Sequence, residues 1–126
     1  MQVQFLNDRL APTVESQPSV ELHHWRILKR GNGDLHLAAQ MDSGSLRVTS
    51  KLQCMELSRG IIRTDSGRSY QLCAQPEDDE VLHAIIQLNA LISLHMISGD
   101  VSQVIWDAIN AGAWPVGGTP LLLPPQ

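Results

Sequence analysis

Two hydrophobic periods divide the chain. From residue 21 to 75 the apolar positions tend to recur every second residue, and from 76 to 112 they recur at helical spacing. The first pattern predicts five strands, over Glu21–Lys29, Leu35–Met41, Leu46–Leu57, Gly60–Thr64 and Ser69–Ala74. Turn chemistry separates them. Gly31–Asp34, Asp42–Ser45, Ser58–Gly60 and Asp65–Arg68 are rich in Gly, Asn, Asp and Ser, which satisfy the backbone locally or tolerate positive φ. The clearest alternation lies in 46–57. Leu46, Val48, Leu52 and Cys54 share one parity, broken only at Ser50, and Arg47, Thr49, Lys51 and Gln53 share the other. That pattern reads as a half-buried antiparallel strand with a wet face.

The second pattern predicts two helices. Pro76 and the acids Glu77, Asp78, Asp79 and Glu80 suit a helix start, where proline is pre-organised and negative charge favours the positive end of the dipole. Apolar residues then fall at 81, 82, 85, 86, 88, 92 and 96, and Ala84, Leu91, Leu94 and Ile97 widen the face beyond one stripe. Ser98-Gly99 is the expected end. Asp100–Gln103 has capping-box spacing and opens a second helix with Val101, Val104, Ile105, Ala108 and Ile109 on one stripe, closed by Gly112. Trp106 falls off that stripe. The expected architecture is α+β: a five-stranded antiparallel sheet or small barrel over about 21–75, then a helical hairpin over about 77–111. An extended N-terminal arm (1–20) and a Pro-rich tail (113–126) flank this single domain. Val3, Phe5 and Leu10 give the arm something to pack.

Charge divides at the same boundary. The net charge of −4 conceals eight basic against five acidic residues over 21–75, and six acidic residues with no basic one over 76–126. Either half offers a surface: an acidic face of Glu77, Asp78, Asp79, Glu80, Asp100 and Asp107, or a basic face of Arg47, Lys51, Arg63 and Arg68 set against phosphates. The bland reading makes them complementary solvated faces of one molecule. The longest mainly apolar run, Val81–Ile97, is shorter than a membrane span needs, and the N-terminus lacks a signal-peptide pattern. A cytoplasmic location is expected.

Catalytic chemistry finds little to build on. Cys54 and Cys73 lack metal or redox spacing, so spectator thiols are expected. His23, His24, His36, His83 and His95 form no HExxH or Hx₃H motif. Consecutive acids at a helix start splay around the axis and do not converge. No nucleophile elbow, Walker A or dinucleotide fingerprint occurs. No enzyme, cofactor or metal is therefore expected. A small enzyme with an uncatalogued His/carboxylate site is the minor alternative, recognisable by a cleft with converging groups.

Thr49–Leu52 followed by Thr64-Asp-Ser66-Gly67-Arg68-Ser-Tyr70-Gln-Leu72 resembles a β-hairpin of small accessory proteins carried by phages, plasmids and other mobile elements. The likeness covers about 24 residues of turn and strand chemistry. It implies a cytoplasmic protein that works by binding. The functional expectation is a non-catalytic protein–protein interaction module, a regulator or inhibitor of a host protein, homodimeric through its helices. Trp106 and Trp114 are candidate aromatic anchors. Nucleic-acid binding through the basic face is the alternative, although only Trp25 and Tyr70 of the β half offer rings for stacking.

Overall fold

The computed structural model describes residues 12–125. Eight strands and two helices follow in order: β1 (Ser19–Leu22), β2 (His24–Lys29), β3 (Leu35–Gln40), β4 (Leu46–Val48), β5 (Leu52–Glu56), β6 (Ile61–Thr64), β7 (Ser69–Leu72), α1 (Glu80–Leu94), β8 (Gly99–Asp100) and α2 (Ser102–Ala111). A 3-10 turn over Leu57–Arg59 joins β5 to β6. The class is α+β, but the strands among the described residues make two four-stranded sheets, ordered β1-β7-β6-β5 and β4-β3-β2-β8, and these do not close into a barrel.

The two longest expected strands are each cut in two. His23 alone separates β1 from β2, and Thr49–Lys51 separates β4 from β5. At both places the chain crosses from one sheet to the other, which lets apolar residues of both sheets face a shared interior. Trp25, Ile27, Leu35 and Leu37 of the second sheet meet Leu22, Leu52, Met55, Ile62, Tyr70 and Leu72 of the first. A register shift between Leu52 and Cys54 allows Leu52 and Met55, three residues apart, to point the same way. The edge strand β1 runs parallel to β7, against the expectation of an all-antiparallel sheet. Ser19 and Val20, expected in the arm, belong to that strand. Val3, Phe5 and Leu10 lie outside the described residues.

β3 is covered on its second face as well. Leu28, Ala38 and Leu46 pack against Ile86, Ala90 and Leu94 of α1, and His36 is buried with them, Nδ1 2.9 Å from the Thr49 carbonyl oxygen. Burying one such aliphatic side chain is worth roughly 1.5–3 kcal/mol. The layers are therefore sheet, sheet and helix.

α1 is capped by Asp79, whose carboxylate accepts the Leu82 N–H at 2.9 Å. It ends at His95, with φ of 69°, rather than at Ser98-Gly99. The chain leaves the helix early because its next residues pair with β2: Ser98 N–H donates to the Lys29 carbonyl, and β8 aligns with Leu28 and Lys29. Asp100 accepts the Ser102 N–H at 2.9 Å, and Gly112 (φ 71°) closes α2. The helices do not form a hairpin. α1 lies on β2, β3 and β4, and α2 lies on β2 and the 3-10 turn. In the tail, Leu122 enters the intersheet core and the Met55 N–H donates to the Leu123 carbonyl.

Candidate interaction surface

The breadth of the apolar face on α1 has a direct structural counterpart. Ile86, Ala90 and Leu94 face the sheet, and Val81, Ile85, Leu88 and Ile92 face outward. Their spacing of four, three and four residues places them in one stripe along the helix. Val81, Leu88 and Ile92 are 68%, 56% and 59% exposed. Leu91 and Met96 flank the stripe and are exposed too. Together these six side chains leave roughly 600 Å² of apolar surface open, at the upper end of the largest patch on a typical monomer. No Asp, Glu, Lys or Arg occurs between residues 81 and 97.

Charge sits at the two ends of this stripe. Asp78 and Glu80 are exposed at the helix start, and neither forms an ion pair among the described residues. At the other end a Cβ placed on Gly31 would lie 3.6 Å from Met96 Sδ, so the turn carrying Lys29 and Arg30 adjoins the helix C-terminus. Lys29 and Arg30 are likewise without an ion pair there.

The remaining acidic candidates scatter. The Glu77 carboxylate is 10% exposed, lies 2.5 Å from His24 Nδ1 and accepts the Asp79 N–H. Asp100 receives Nε and a terminal nitrogen of Arg26, each at 3.0 Å, with His83 Nε2 3.8 Å away. These two acids tie the helical segment to β2. Asp79 is the helix cap, and Asp107 bonds Gln103 across one turn of α2. An acidic face of six residues therefore reduces to Asp78 and Glu80 beside the stripe, with Asp107 apart.

The basic candidates scatter as well. Arg47 is half-buried and donates to Gln17 Oε1 and the Tyr70 hydroxyl. Arg68 is buried, donating from Nε to the Gln17 carbonyl and from a terminal nitrogen to the Pro12 carbonyl. Lys51 and Arg63 are exposed. Two of the four residues thus brace the segment before β1, and Tyr70 lies in the core. Trp106 packs edge-on against buried Trp25, ring centroids 6.1 Å apart, and Trp114 is partly buried against the same core. Trp25 Nε1 donates to the Ala74 carbonyl at 2.8 Å.

A cleft of about 440 Å³ between β1 and the β3–β4 turn is lined by Glu21, Asp42 and Arg47, among others. Beside it, Glu21, His23 and Cys73 converge, a grouping that sequence spacing concealed. No family model, curated protein or solved structure matches this chain. No helix among the described residues is long and apolar enough to cross a membrane.

Proposed function

We propose that the protein is a non-catalytic interaction module that dimerises through the outer face of α1. The observation that carries this reading is the uncharged apolar stripe from Val81 to Ile92, exposed although its helix already has a buried face. A second copy suits it best. A two-fold interface brings a patch against itself, so a patch with net charge repels its mate, and a neutral apolar one does not. Antiparallel pairing about a point near Leu88 sets Asp78 and Glu80 of one copy opposite Lys29 and Arg30 of the other. Roughly 600 Å² from each copy passes the ~1,000 Å² total expected of a specific interface.

The likeness of the 49–72 segment to mobile-element accessory proteins favours a cytoplasmic regulator or inhibitor whose working form is this dimer. A host protein would then meet a surface outside the paired stripes. Light scattering over a concentration series tests the assembly: a dimer at micromolar concentration supports it, and a monomer throughout overturns it.

A further inference from the structure

Glu21 and His23 lie two residues apart where the chain leaves β1, and Cys73 is the residue after β7. The parallel pairing brings them together. Glu21 pairs Gln71 and Leu22 pairs Leu72, and the Cys73 N–H donates to the Leu22 carbonyl, which extends the ladder to put Cys73 beside His23. One carboxylate oxygen, one imidazole nitrogen and the thiol sulfur all lie within 4.8 Å of one another. Asp42, on the β3–β4 turn, places Oδ1 3.6 Å from His23 Nδ1. All four residues are exposed, so their rotamers are free to close and an ion has a path in.

We propose that Glu21, His23 and Cys73, with Asp42 completing the shell, bind a zinc ion at this corner between the two sheets. The donor set is one thiolate, one imidazole and two carboxylates, four ligands of the types zinc takes in tetrahedral sites. Sulfur and imidazole nitrogen favour a borderline-soft ion over magnesium or calcium, which prefer all-oxygen shells. Neighbouring ligand atoms in a tetrahedral zinc shell stand about 3.3–3.7 Å apart, so the cluster needs to contract by about 1 Å. Partial burial, with the carboxylates of Glu21 and Asp42, pushes the Cys73 thiol above its ordinary value. A divalent cation among these groups reverses that balance and holds the thiolate.

The test uses the full chain stripped of metal by a chelator. Zinc is added in competition with a chromophoric chelator, and alkylation of each cysteine is followed by peptide mass spectrometry. The expected result is one zinc per chain, with alkylation of Cys73 slowed about tenfold or more and buried Cys54 unchanged. His23→Ala and Glu21→Gln each weaken binding by about tenfold or more and remove the protection, with the circular dichroism spectrum unchanged. Cobalt gives a thiolate charge-transfer band that Cys73→Ser abolishes. Failure of zinc to protect Cys73, or equal binding by the His23→Ala variant, overturns the proposal. Neither outcome bears on dimerisation through α1.

Discussion

Replacing Leu88 by aspartate separates the surface role of α1 from its structural one. Leu88 is 56% exposed in the single chain, which leaves roughly 100 Å² of its apolar surface open. The monomer therefore loses little beyond helix propensity, about 0.5 kcal/mol. The dimer loses far more. At ~25 cal/mol per Å², covering this side chain in both copies is worth roughly 5 kcal/mol. If only half of that area is covered, the loss is still about 2.5 kcal/mol, or roughly seventyfold in dissociation constant. The two new carboxylates meet near the two-fold axis and repel, which adds to the loss. Sedimentation equilibrium from about one to about a hundred micromolar reads the effect directly. The expected outcome is a dimeric wild type and a monomeric, folded Leu88→Asp. A variant that dimerises as tightly as wild type refutes the assignment of this stripe. Ile86→Asp, two residues away and 1% exposed, is the contrast: it unfolds the chain.

Other expectations follow from particular contacts. Arg30→Glu and Glu80→Lys each weaken the dimer about threefold to tenfold, and the double variant recovers affinity; failure to recover refutes the antiparallel arrangement. Ser102→Ala leaves the Ile27 N–H without the Oγ it donates to at 2.7 Å, inside the core, and costs about 1–3 kcal/mol in urea unfolding. Leu122→Ala costs about 2–3 kcal/mol, and truncation after Pro120 also opens Cys54 to alkylation; a tail that contributes nothing to packing shows neither effect. Arg68→Ala lowers stability by about 1–2 kcal/mol, because it braces Gln17 and Pro12. Unchanged stability, with loss of a low-salt gel shift given by the wild type, points instead to a phosphate-binding role.

Local patterns carried much of this fold, and non-local pairings carried the rest. Turns at Gly31–Asp34 and Asp65–Arg68, the Asp79 cap and the Gly112 stop obey short-range chemistry, so they are readable from neighbours in sequence. The parity break at Ser50 marks the crossing between sheets, but parity alone does not say that a new sheet begins there. Parallel pairing of β1 with β7 joins segments some fifty residues apart and leaves no local trace. The same pairing assembles Glu21, His23 and Cys73, which explains why cysteine and histidine spacing gave no hint of them. The stripe on α1 was legible as apolar excess, because one sheet can cover only one face of a helix. The acidic and basic faces dissolved for the opposite reason. Side-chain charge says nothing about which partners consume it, and Glu77, Asp100, Arg47 and Arg68 are all consumed internally.

The first described strand and the last described residues occupy opposite edges of one sheet. β1 lies along β7, and Leu123 bridges to Cys54 on β5. β1 thus covers amides of β7, and Leu123 takes the Met55 amide of β5, that would otherwise be open to pairing with a foreign strand. The arrangement also sets a schedule during synthesis. β1 waits about fifty residues for β7, and β5 waits about seventy residues for Leu123. On the ribosome the sheet stays open-edged until Leu123 has emerged, so aggregation during expression is expected to fall on nascent or tail-truncated chains rather than on chains in which both contacts have formed.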